Sequence, residues 1–144
     1  MPPIKVTING VVHEVDGKDT VLQAAQKVGC SIPTYCYHPK LSLAGACRMC
    51  LVEIEGARGP AASCVTPLRD GMVIKTDSPI VQKDRAAVME FLLLQHPLDC
   101  PVCDKGGDCR LQDFAFKYGP YKSQVDFERR TLSPRIWGIT SPAP

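Results

Sequence analysis

Apolar and polar positions alternate at the start of the chain: Ile4, Val6 and Ile8 are separated by Lys5 and Thr7. A period of two predicts a half-buried strand. Asn9-Gly10 follows, the pair that supplies two positive φ angles to a two-residue hairpin turn, and Val11 to Val15 is the return strand. In such a hairpin Ile8 faces Val11, so Ile4, Val6, Ile8, Val11 and Val15 share one face. His13 falls on that face too and reads as a partly buried or edge histidine, since nothing near it suggests a metal.

The period then changes. Thr20 and Gln23 have the spacing of a capping box, Gly29 fits a helix stop, and Val21, Leu22, Ala25 and Val28 form an apolar face between them. Leu51 to Glu55 and Val73 to Thr76 read as short strands separated by Gly-containing turns. Ser78-Pro79 is an N-cap and first-turn pair for a second helix. Ile80, Val81, Val88, Phe91 and Leu92 recur along it at helical spacing, as core or interdomain packing, and it should end near Gln95, because His96 precedes a proline. A last helix, with Leu111, Phe114, Ala115 and Tyr118 on its apolar face, runs to Tyr118 and is stopped by Gly119-Pro120. Tyr121 to Pro144 has no sustained period and no strong cap, so it is expected to be an irregular tail, mobile or partner-bound. Hairpin, helix and further strands predict an α+β arrangement with one helix across a mixed sheet.

Composition narrows the function. With 17 Lys+Arg against 15 Asp+Glu, the 144-residue chain lacks the basic excess of a nucleic-acid binder. Its 44% hydrophobic residues suffice for a packed core. The longest apolar stretch, Ala86 to Leu94, is interrupted by Glu90 and far too short to span a bilayer. No secretory signal or transit peptide is expected from the opening residues. With eight cysteines in the chain, the clustered ones therefore read as metal ligands in a reducing compartment rather than as a disulfide framework.

They fall in two groups. Cys36, Cys47, Cys50 and Cys64 are spaced C-x10-C-x2-C-x13-C, and Ala44-Gly45-Ala46 precedes the central pair. Small residues let backbone N–H groups approach and stabilise negatively charged sulfur, which a loop around a two-iron cluster requires more strongly than a zinc site. A four-cysteine zinc site more often uses two C-x2-C pairs, and this half has one, so zinc stays open as the second reading. Plant-type ferredoxins use C-x4-C-x2-C…C, and the first interval here is longer. Cys30 stands outside the set, as a small buried thiol after a helix end.

The second group is His96, Cys100, Cys103 and Cys109, spaced H-x3-C-x2-C-x5-C, close enough in sequence to close on one centre with little loop entropy. Gly106-Gly107 lets the chain reverse, and Cys109 stands near a helix start, where a thiolate is favoured. A zinc site of three cysteines and one histidine has the same ligand count. The chain shows no convincing nucleophile–base set and no Gly-rich dinucleotide fingerprint.

On these residues the chain resembles a known family. HPLDCPVCDKGGDCRLQDFAFKYG, His96 to Gly119, is similar to the histidine-containing cluster motif of the large iron–sulfur subunit of respiratory complex I, the NADH-quinone oxidoreductase. GACRMCLVEI, with AASCVTPLRDGM after it, resembles the ferredoxin-like domain that opens that large subunit. The resemblance covers about Ile4 to Pro134. It implies a β-grasp (ubiquitin-like) domain over residues 1–77 holding one [2Fe–2S] cluster on Cys36, Cys47, Cys50 and Cys64. It implies a small, mostly helical domain over 78–120 holding one [4Fe–4S] cluster on His96, Cys100, Cys103 and Cys109, with residues 121–144 as tail. The implied role is non-catalytic, one-electron transfer within a complex-I-type NADH:quinone oxidoreductase. NADH oxidation then falls to an FMN-containing partner subunit, beside other hydrophilic-arm subunits, with the chain peripheral at the cytoplasmic face of a bacterial inner membrane. Two alternatives accompany this: an electron-input subunit of an NAD-linked hydrogenase or formate dehydrogenase, and a zinc-stabilised interaction module. Family members continue into another Cys-rich domain, whose cluster lies in the electron path between these two. The residues Arg135 to Pro144 do not resemble that continuation, so a natural short form, a truncation or a frameshift is expected.

Overall fold

The structure, a computed structural model, describes residues 3–120 and 122–125. Strands β1 (Pro3–Ile8) and β2 (Val11–Asp16) form the hairpin in the predicted register, Ile8 opposite Val11 and Val6 opposite His13. Asn9 and Gly10 carry φ of 51° and 85°, as that turn demands. Helix α1 (Val21–Lys27) starts in the capping box: the Gln23 N–H donates to Thr20 Oγ1 and the Thr20 N–H to Gln23 Oε1. It ends with Gly29 at φ 80°. The Gly29 N–H donates to Gln26 O at 3.1 Å and the Cys30 N–H to Ala25 O at 2.8 Å, the two bonds of a Schellman stop.

Strands β3 (Leu51–Ile54), β4 (Ala61–Ala62) and β5 (Val73–Lys75) complete a five-stranded mixed sheet of order β2-β1-β5-β3-β4. The β1/β5 pair is parallel and the others antiparallel. Val21, Leu22, Ala24 and Ala25 of α1 bury in one cluster with Val6, Ile8, Val15, Val52 and Ile74 of the sheet. Each buried Val, Leu or Ile side chain contributes about 1.5–3 kcal/mol when fully removed from water. Val11 lies on the predicted face yet is 57% exposed, because it sits on edge strand β2 at the turn end, beyond the core cluster. Strand β4 has no signature in the sequence, since two alanines carry no β preference.

Helix α2 (Pro79–Leu94) is capped by Ser78, whose Oγ accepts from the Val81 N–H, and ends at Gln95. Its buried positions are Val81, Arg85 and Met89. Val88 and Leu92 are half-buried as expected, but Ile80 and Phe91 are 53% and 73% exposed. The face against β3 is centred on 81/85/89, so the apolar pattern alone misplaces the stripe by including its rim and omitting a cation at its centre. A 3-10 turn (Cys100–Val102) and helix α3 (Arg110–Tyr118) follow, and α3 packs on α2. No helix of the described residues is long and apolar enough to cross a membrane.

Of the expected irregular tail, Lys122 to Val125 are described, and the rest, Tyr121 and 126–144, lies outside the described residues. The described piece is tied to α2: Glu90 Oε1 accepts from the Ser123 hydroxyl at 2.8 Å and from the N–H groups of Gln124 and Val125. The Ser123 hydroxyl first, and then the Gln124 N–H, hold the Glu90 carboxyl below its ordinary value of 4.5. A carboxyl lowered by folding stabilises this tether above its ordinary value and loses that contribution as pH falls through the lowered one. Amide exchange of Gln124 is therefore expected to be slow at neutral pH and to lose its protection in acid, and at neutral pH in Glu90→Ala, which removes the acceptor. Protection that persists in Glu90→Ala would rule out the tether.

Candidate metal centres

The segment between α1 and β3 has no regular structure, and its shape is set by turns. Gly45 has φ 60°, and a Cβ there would lie 2.9 Å from Val65 Cγ1. Arg48 takes φ 58°, uncommon for a residue with a side chain. These reversals turn backbone donors inward. Burial opposes ionisation of the Cys36 thiol, yet the Cys47 N–H and thiol and the N–H groups of Ala46 and Cys36 outweigh it and hold it below the usual cysteine range.

On the sheet side, the β3/β4 pair brings Cys50 and Cys64 together. Ser63, fully buried, donates to the Cys50 carbonyl through both N–H (3.1 Å) and Oγ (2.7 Å). Cys50 and Cys64 are 1% and 2% exposed, whereas Cys36 and Cys47 are half-buried. Burial first, then the adjacent Cys50 thiol and the charges of Cys36 and Cys47, push the Cys64 thiol up to about 12. The four sulfurs thus stand near one another as two pairs, Cys36 beside Cys47 and Cys50 beside Cys64. Among the described residues no three His, Cys, Asp or Glu side chains gather around the point a single ion would occupy. Cys30 is outside: its Sγ accepts from Asn9 Nδ2 at 3.4 Å and lies 3.6 Å from Thr76 Oγ1. It is half-buried rather than buried.

The second set is also brought together. His96, Cys100, Cys103 and Cys109 line one cavity of about 210 Å³, with Gly106 and Gln112 in its wall. His96 follows the end of α2, Cys100 opens the 3-10 turn and Cys109 is the N-cap of α3. Gly106 is required sterically, since a Cβ there would meet the Cys100 carbonyl oxygen at 2.6 Å. Both donor sets are soft or borderline, and both are cradled by backbone that only small residues allow, so the residues fit iron–sulfur clusters.

A bridge joins the two sites. The Tyr35 hydroxyl donates to Arg110 O at 2.9 Å, and the Arg110 guanidinium donates back to Thr34 O at 2.6 Å. The Tyr35 ring meets Phe114 edge-on at 4.9 Å. Burial, then the neighbouring Cys109 charge, pushes the Tyr35 hydroxyl up to about 12. Tyr35 precedes Cys36 and Arg110 follows Cys109, so each member of the pair neighbours one ligand candidate. Sequence reasoning missed this pair, because its partners are 75 residues apart.

A mixed sheet bearing a four-cysteine loop, tied to a helical module with a His–Cys cavity, is the construction of an iron–sulfur protein. Residues 1–79 match the family described as 2Fe-2S iron-sulfur cluster binding domain, and the chain belongs to that family. Residues 85–124 match the NADH-ubiquinone oxidoreductase-G iron-sulfur binding region. Among curated relatives, the G-type subunit of NADH-quinone oxidoreductase from Rickettsia bellii is 52% identical over 135 residues, which is 94% of this chain and 20% of that protein. The 78 kDa subunit of mitochondrial NADH-ubiquinone oxidoreductase of Neurospora crassa is 53% identical over 116 residues, 81% of this chain and 16% of that protein. The chain thus spans about a fifth of the length of the relatives it matches. A solved NAD+-reducing [NiFe]-hydrogenase superposes with a TM-score of 0.79 at 32% identity, over 90% of this chain and 55% of that one. The likeness to the N-terminal region of the large iron–sulfur subunit thus extends well beyond the cysteine motifs.

Proposed function

We propose that the chain is the electron-transfer iron–sulfur portion of a complex-I-type NADH:quinone oxidoreductase. Residues 1–77 form a β-grasp ferredoxin domain in which Cys36, Cys47, Cys50 and Cys64 hold a [2Fe–2S] cluster. Residues 78–120 form the domain in which His96, Cys100, Cys103 and Cys109 hold a [4Fe–4S] cluster, and residues 121–144 are the tail. The observation that supports this reading is that His96, Cys100, Cys103 and Cys109 line one cavity, while the β3/β4 pair sets Cys64 beside Cys50.

When bound, the clusters supply one-electron carriers. The chain's own residues hold and tune them. The N–H groups of Ala46 and Cys47 stabilise negative charge on Cys36 sulfur. Neutral His96, in place of a fourth thiolate, makes the second site less negative. The Tyr35–Arg110 bridge keeps the two sites in a fixed relation. NADH would be oxidised on an FMN-containing partner, with other hydrophilic-arm subunits beside it, at the cytoplasmic face of a bacterial inner membrane. The superposition on the hydrogenase favours a second reading, the electron-input subunit of an NAD-linked hydrogenase.

Iron and acid-labile sulfide analysis of the anaerobically loaded chain tests the ligand sets. A two-iron plus a four-iron cluster requires six irons and six sulfides. Cys30→Ser should leave both counts unchanged, as Cys30 contacts Asn9 and Thr76 instead. Loss of either cluster in that variant, or a colourless zinc protein, would refute the assignment.

A further inference from the structure

Arg85 has no part in the reading above, yet it is the most deeply buried charge described, 3% exposed at the centre of the α2 face. Its Nη2 donates to Leu51 O at 2.8 Å and to Thr76 O at 2.9 Å, on β3 and just beyond β5. The Tyr118 ring of α3 lies 5.7 Å from the guanidinium carbon. Two carbonyls need donors, but they do not need a cation. The carboxylate that answers the charge, Asp77 at 3.6 Å, is itself 67% exposed, and Arg85 Nε is buried without a hydrogen-bond partner among the described residues. An arginine stays protonated in proteins, and a buried charge is costly unless an opposite one faces it. Beyond exposed Asp77, the buried source of such charge is the four-cysteine centre: Leu51, whose carbonyl Arg85 holds, directly follows Cys50, and after Tyr118 and Asp77 the Cys50 sulfur acts on the guanidinium through its charge.

We propose that Arg85 is the internal counter-charge of the four-cysteine centre: its buried guanidinium favours the more negative, reduced form and raises that centre's reduction potential. The inference rests on the ligand reading above. Two ferric ions, two sulfides and four thiolates are net negative, and one added electron, from dithionite in a titration or a reduced flavin in a complex, makes them more so. A fixed cation in a poorly solvated site stabilises that product more than the starting form. Because Arg85 also touches α3 and ties α2 to the sheet, it is a positioning residue placed between both domains.

The test is an EPR-monitored potentiometric titration of the full, loaded chain with Arg85→Met, Arg85→Gln and Arg85→Lys. The two-iron signal should titrate at a lower potential in the uncharged variants and close to the native potential in Arg85→Lys. The four-iron signal should keep its potential in all three. An unchanged two-iron potential in a loaded, uncharged variant overturns the proposal. If neither uncharged variant loads while Arg85→Lys does, the charge is required at that centre, as proposed. If Arg85→Lys also fails to load, Arg85 acts through packing and the proposal is overturned. Absence of a two-iron signal in the native chain would instead refute the ligand assignment.

Discussion

Gly106→Ala is expected to remove the four-iron centre and leave the two-iron centre loaded. The new Cβ would sit 2.6 Å from the Cys100 carbonyl oxygen and 3.1 Å from that of Cys103. Both are backbone atoms of the turn that carries two of the four proposed ligands, so no flexible side chain can move aside. The Gly106 N–H also donates to Cys103 O at 2.9 Å, and that bond holds the turn closed. A shift large enough to admit a methyl group displaces the Cys100 and Cys103 sulfurs from their common cavity. Gly107→Ala is the control. Gly107 has φ 84° but open space around it, so alanine there meets only the left-handed backbone cost of roughly 1–2 kcal/mol. Iron content and EPR should show the two-iron signal at native intensity in both variants. The four-iron signal should vanish in Gly106→Ala and be largely retained in Gly107→Ala. A native four-iron signal in Gly106→Ala would show that the turn is not the wall of the site.

His96→Ala has the next largest expected effect, and it separates two views of one residue. His96 is exposed beyond the end of α2, so as an ordinary surface side chain it should be replaceable within about 0.5 kcal/mol. As a ligand lining the cavity with three cysteines, its loss leaves one iron without a protein donor. That iron should become labile, and mild oxidation should yield a three-iron signal. His96→Cys should keep four irons but titrate at a lower potential, because an anionic donor replaces a neutral one. The two-iron signal should be unaffected in both, since its proposed ligands lie on the sheet and its loop. An unaltered four-iron signal in His96→Ala would end the ligand assignment.

The hairpin, the capping box of α1, the Ser78-Pro79 start of α2 and the Gly119 stop of α3 were legible because each is decided within a few residues. Turn chemistry and caps are local energies, and their partners sit in the same stretch of sequence. Spacing likewise singled out the eight ligand candidates, because soft donors at short intervals are rare outside metal sites. The stripe on α2 was only half legible. Counting apolar residues included Ile80 and Phe91 on its exposed rim and passed over Arg85, although Val81, Arg85 and Met89 follow the same four-residue interval. A cation at the centre of an apolar face was the available signal.

By itself, then, the sequence determined the local elements, the two sets of ligand candidates and the soft-metal chemistry they suit. Tertiary structure decided what depends on residues far apart in the chain. It made a strand of Ala61-Ala62 by pairing them with β3, and so set Cys64 against Cys50. It joined Tyr35 to Arg110 across the two sites and buried Arg85 between α2, the sheet and α3. These contacts carry no local pattern, because the free energy that selects them comes from burial and hydrogen bonding between segments that meet only in the folded chain.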